Sequence, residues 1–153
     1  MGIRWDNFKI GSIDVLVNNA GYGLYGFFEE TTIKDAQEQF ATNVFGVFNV
    51  TWAVLPLMRS ARKGRIFNLS SLGGLIGGQM ASFYCATKFA IEGFSESLSK
   101  EVSPFGILVT IIEPGPFRTD FLSPRSNLQG LDPHWDHQPR LAQCKAGVSP
   151  PPG

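Results

Sequence analysis

The chain has 153 residues, 43% of them hydrophobic, which is the length and apolar content of one globular domain with a real core. Thirteen Lys and Arg cancel thirteen Asp and Glu, so no net charge draws it to nucleic acid or to an anionic membrane surface. Cys85 and Cys144 lie far apart without metal-ligand spacing, which argues against a disulfide framework and for a reducing, cytoplasmic setting.

The first residues, "MGIRWDNFKIGS", lack the apolar run of a signal peptide, and Asp6 stands where a myristoylation pattern needs Ser or Thr. "IDVLVNN" (13–19) is a β-branched run expected to form a strand covered on both faces. A glycine-punctuated loop, "AGYGLYGFFEE", follows. Residues 31–63 read as one long helix, capped by Thr31 or Thr32 and stopped by Gly64. Within it, 44–58 is the most membrane-like stretch. It is shorter than the roughly 20 apolar residues a span needs, and it contains Asn49 and Pro56, so a buried helix and no membrane span is expected.

"RIFNLSS" (65–71) predicts a second strand, "LGGLIGGQMA" a loop, and 82–103 a second helix ending before Pro104 and Gly106. "ILVTIIEPG" (107–115) predicts a third strand closed by a Pro-Gly turn. From about residue 123 the chain is proline-rich without periodicity, which suggests a domain over 1–122 and a loop or disordered tail over 123–153. In that tail His134 and His137 sit beside two aspartates, but no helix presents them and no metal site is expected.

Strand, helix, strand, helix, strand, with strands apolar on both faces, is the pattern of an α/β fold with a parallel sheet and right-handed crossovers. Ligands in such sheets bind beyond the carboxyl ends of the strands. "NNAG" (18–21), "SS" (70–71) and "PGPFRT" (114–119) all fall there. Tyr84 and Lys88 stand one helical turn apart. Taken alone, the pair fits a half-buried tyrosine beside a snorkelling lysine. A phenol near an ammonium group, however, has its pKa pulled down towards the range of acid–base work. Ser71, at the end of the preceding strand, can hydrogen-bond the same substrate oxygen. Asn18 and Asn19 could equally end a strand, Gly21, Gly23 and Gly26 could be plain loop glycines, and Asn43 could be a solvated helix residue.

"NNAG", the Asn of "FATNVFGVF", "NLSS", "YCATK" and "PGPFRT", in that order from about residue 12 to 121, resemble the short-chain dehydrogenase/reductase family. The resemblance implies a partial Rossmann-like, doubly wound parallel sheet whose first three strands and Gly-rich phosphate turn are absent. It implies an NAD(P)-dependent oxidoreductase interconverting an alcohol and a carbonyl. Tyr84 would be the acid/base, Lys88 would lower its pKa and bind the nicotinamide ribose, and Ser71, rather than Ser70, would orient the carbonyl. Asn43 would hold a relay water. Asn18, Ala20 and Gly21 would line the adenosine side of the cofactor cleft, and Pro114, Gly115, Phe117 and Thr119 the nicotinamide side. The choice of NAD or NADP rests on a residue outside the matched stretch. The loop sequences look most like members acting on steroids, retinoids or other apolar substrates. In the family, the helices corresponding to 31–63 and 82–103 form a dimer interface, so a homo-oligomer is expected. The alternative is an inactive fragment that binds full-length subunits through those helices.

Overall fold

The computed structural model describes residues 12–115 and the backbone of Asn127–Gln129. In chain order the elements are β1 (Val15–Asn18), β2 (Gly23–Tyr25), α1 (Ile33–Phe40), α2 (Gly46–Ala61), β3 (Gly64–Leu69), α3 (Ser82–Val102), β4 (Ile107–Ile112) and β5 (Asn127–Gln129). The parallel sheet runs β1-β3-β4, with Val15 opposite Arg65 and Arg65 opposite Leu108. The three apolar runs become its three strands, each one to three residues shorter than the sequence suggests.

The long helix begins as expected at Thr32. Its hydroxyl accepts from the Asp35 N–H at 3.1 Å while the Asp35 carboxylate accepts from the Thr32 N–H at 3.3 Å, a capping box. Two features depart from expectation. A π-turn at Ala41–Phe45, in which the Gly46 N–H bonds to the Ala41 carbonyl, divides the helix into α1 and α2. The helix also stops at Arg62, in the left-handed region at φ 56°, so Gly64 opens the next strand instead.

Residues 33–61 are long and apolar enough to cross a membrane by length and composition alone. The Val47, Thr51, Val54 and Met58 stripe of this helix is nonetheless buried within the fold. The glycine-punctuated loop holds a strand the sequence does not signal, β2, paired in parallel with β5. Those three β5 residues are an exception to the expected loop or tail beyond about 123.

The core gathers Val54 and Met58 of α2, Ile66 of β3, Leu98 and Val102 of α3 and Ile107 of β4. All lie between the helices and one face of the sheet. On the other face Val15, Val17 and Leu108 are each more than half exposed, and among the described residues no element covers them. The strands were expected to be covered on both faces, and here only one is.

The covered face also carries a buried polar chain. Asn18 Nδ2 donates to Thr51 Oγ1 (3.1 Å) and to Asn68 Oδ1 (2.7 Å), and Asn68 Nδ2 donates to Ser95 Oγ (2.8 Å). This ties β1, β3, α2 and α3 together by side-chain amides that burial would otherwise leave unsatisfied.

Candidate active site

Helix α3 follows a tight turn in which Met80 adopts φ 62° and its carbonyl accepts from the Gly26 N–H at 2.8 Å. Its buried residues other than Cys85, namely Tyr84, Thr87, Lys88, Ile91, Ser95, Leu98 and Val102, form a stripe at spacings of three and four. The upper end of that stripe meets the carboxyl end of β3. There the chain leaves the sheet at Ser70 and enters a short 3-10 turn, Leu72–Gly74, capped by Ser71.

The Ser71 hydroxyl accepts from the Gly73 N–H at 3.2 Å and stands close enough to Tyr84 to lower its pKa. A Cβ on Gly73 would come within 3.3 Å of the Tyr84 ring, so the bare glycine lets the turn close over the phenol. Tyr25 packs on the same ring, with centroids 5.5 Å apart and planes tilted by 36°. Nothing in "GLYG" signals that contact, because it depends on β2.

Lys88 Nζ donates to the Leu69 carbonyl at 2.8 Å and lies 5.7 Å from the centre of the Tyr84 ring. Burial lowers the lysine to about 8, against an opposing pull upward from Glu92. The tyrosine departs from the sequence reasoning. Burial raises the Tyr84 phenol above its ordinary value, the Ser71 hydrogen bond lowers it, and Cys85 adds to the rise. The Lys88 ammonium is not among the groups that pull the phenol down, so desolvation wins.

Asn43 is 3% exposed and sits in the π-turn, where its amide points across to the loop after β1. Its Nδ2 donates to the Tyr22 carbonyl (2.9 Å) and to Thr87 Oγ1 (3.3 Å), and its Oδ1 accepts from the Tyr22 N–H (3.0 Å). Thr87 Oγ1 in turn donates to the Tyr84 carbonyl at 2.7 Å. Asn43 therefore clamps the loop to the helix that carries Tyr84. Gly21 packs against it, since a Cβ there would lie 3.2 Å from Asn43 Oδ1.

Asn18, expected to line the cofactor cleft, directs its side chain into the core chain instead. Ala20 is exposed and Gly21 half-buried in the loop beyond β1; Pro114 is half-buried and Gly115 exposed just beyond β4. Phe117, Thr119, His134 and His137 lie outside the described residues, and among the described residues no cluster of metal-ligating side chains occurs. Cys85 is a free, buried thiol. Thr87, Tyr25 and Glu92 join the site without having been singled out in the sequence; the spacing of Thr87 and Glu92 on the stripe of Tyr84 and Lys88 was the available signal.

The Ser71–Tyr84–Lys88 group at the end of a parallel strand accords with a match of the short chain dehydrogenase family model over residues 6–129. The chain belongs to the short chain dehydrogenase family. It is 50% identical over 116 residues to a 3-ketodihydrosphingosine reductase of Bacteroides thetaiotaomicron, a match covering 76% of this chain and 43% of that protein. A short-chain dehydrogenase from Streptomyces avermitilis superposes with a TM-score of 0.78 at 40% identity, over 91% of this chain and 52% of that one. A gluconate 5-dehydrogenase from Burkholderia cenocepacia, solved with NADP and tartrate, gives 0.73 at 30% identity, over 75% of this chain and 45% of that one. The chain thus spans about half or less of the length of these family members.

Proposed function

We propose that the chain carries the proton-transfer half of an NAD(P)-dependent oxidoreductase that interconverts an alcohol and a carbonyl. The observation that carries the reading is Ser71 set against Tyr84 at the end of β3, with the Lys88 ammonium beside the ring. In the reductive direction Ser71 and Tyr84 hydroxyls donate to the carbonyl oxygen, and Tyr84 gives up its proton as that oxygen becomes an alkoxide. The phenol, displaced upward, carries its proton at neutral pH, which is the form the reductive direction needs. Ser71 holds the oxygen in line, and Asn43 fixes the helix on which both Tyr84 and Lys88 ride.

When bound, the nicotinamide cofactor supplies the hydride. The residues present suit it: Lys88 spends one N–H on Leu69 and would keep others for ribose hydroxyls, and Ala20, Gly21 and Gly115 would leave room for it. The relative solved with NADP supports that cofactor class, and the similarity to 3-ketodihydrosphingosine reductase supports an apolar ketone or alcohol as substrate. Leu72, Leu75 and Ile76, exposed beside Ser71, fit the same class.

Phe45, Val50 and Trp52 on the helix over 41–61 and Phe89 on α3 are exposed, which supports self-association through these helices. The same surface supports a second reading, an inactive chain that binds full-length subunits. A cytoplasmic location agrees with the free Cys85 thiol.

The test is a thermal melt of the chain with NADH or NADPH, followed by turnover of long-chain ketones. A cofactor at about a hundred times its Kd stabilises the fold by about 2.7 kcal/mol, and Tyr84→Phe should cut turnover at least about a hundredfold. A melt indifferent to both cofactors, with no turnover, would leave the binding role as the better reading.

A further inference from the structure

Glu92 follows Lys88 by one helical turn on α3, a spacing that sets the Cβ atoms roughly 5–6 Å apart. Its Oε1 is buried without a hydrogen-bond partner, and so is the Oγ of Ser70. The two meet at Gly74, where an added Cβ would lie 2.6 Å from Ser70 Oγ and 3.0 Å from Glu92 Oε1. The bare glycine is what leaves room for the carboxylate behind the catalytic turn. A buried carboxylate oxygen is costly unless a positive charge compensates it, and the positive charge one turn away is Lys88.

We propose that Glu92 is a positioning residue of this site, its buried carboxylate serving as the countercharge to Lys88 from one helical turn away rather than through a direct ion pair. The inference rests on the role of Lys88 given above. Lys88 is buried, its ammonium on the Leu69 carbonyl at the end of β3 and beside the Tyr84 ring. Neither carries a compensating charge, and Glu113 beyond β4 is exposed to solvent. Desolvation drives Lys88 towards the neutral amine, and among the described residues Glu92 is the charged group that opposes it. Without that carboxylate the amine would lose its proton closer to neutral pH. It would then neither favour the phenolate nor offer all three N–H groups to cofactor and solvent.

The ionisation of Lys88 is read directly by NMR titration of 13C-labelled lysine ε-methylenes in the 153-residue chain, assigned through Lys88→Arg. The Lys88 midpoint is expected near pH 8 and about half a unit or more lower in Glu92→Gln, with Glu92→Asp in between. An unchanged midpoint in Glu92→Gln overturns the proposal. Glu92→Asp serves if the glutamine variant does not fold: its Lys88 midpoint should lie below the parent's, and an unmoved midpoint overturns the proposal equally. Neither measurement uses turnover, so a failure of this coupling and a failure of the oxidoreductase reading are separate results.

Discussion

Replacing Asn68 by leucine tests the buried amide chain that ties the sheet to its helices. Asn68 is fully buried, accepting from Asn18 Nδ2 at 2.7 Å and donating to Ser95 Oγ at 2.8 Å. Leucine keeps the branched outline but is bulkier, so overpacking of the fully buried site adds to the hydrogen-bond loss. Two partners lose a bond. Asn18 Nδ2 keeps its 3.1 Å bond to Thr51, while Ser95 Oγ loses the Asn68 donor. The second N–H of Asn18 and the Ser95 hydroxyl are stranded at about 1–3 kcal/mol each, overpacking adds about 1–3 kcal/mol and the added apolar contact returns about 1 kcal/mol, leaving a net loss of at least about 2 kcal/mol. That is a large share of the few kcal/mol that hold a domain together. Urea denaturation followed by circular dichroism should show the midpoint fall, and Thr51→Val, which strands one N–H of Asn18 and leaves its bond to Asn68 in place, should lose less. Should Asn68→Leu prove as stable as the parent, the amide chain would contribute nothing and the reasoning from unsatisfied burial would be wrong here.

Lys88 makes stability depend on pH in a direction its burial dictates. Its folded value of about 8 lies below the ordinary 10.5, so folding disfavours the charged form, and the cost present below pH 8 is relieved as pH rises towards 10.5. Between pH 8 and about pH 9.5 the chain should gain about 2 kcal/mol relative to Lys88→Met; parallel pH profiles for the two proteins would contradict this. At Gly106, φ is 73° and a Cβ would sit 2.5 Å from the Arg62 carbonyl oxygen. Gly106→Ala should therefore lower stability by more than about 1 kcal/mol in the same denaturation assay, and a neutral result would mean the α3–β4 turn relaxes freely.

The legible parts of this fold are those written in local pattern. Runs such as "IDVLVNN" and "ILVTIIEPG" carry their own strand signal, and the Thr32 cap follows from side chains three residues apart. What was hidden depends on contacts distant in sequence. β2 exists because Gly23–Tyr25 meets Asn127–Gln129 across about a hundred residues, beyond the reach of any local signal. The π-turn at Asn43 has no composition of its own, since it inserts one residue into an otherwise helical pattern. In the site, the spacing of Tyr84 and Lys88 and the position of Ser71 were readable. The balance of forces on the phenol was not, because desolvation depends on Tyr25 and the Ser71 turn closing over the ring. Asn18 shows the same limit: its place at a strand end was legible, and the inward turn of its side chain was not.

The sheet with one uncovered face has a consequence for how this molecule responds to denaturant. The slope of stability against urea scales with the surface newly exposed on unfolding. Val15, Val17 and Leu108 already meet solvent in the folded chain, so unfolding uncovers less apolar area than the same three strands would release from between two layers. The described part of the chain is built to unfold along a shallow gradient. Any molecule that settles on the open face would steepen that gradient, turning it into a gauge of whether the second layer is in place.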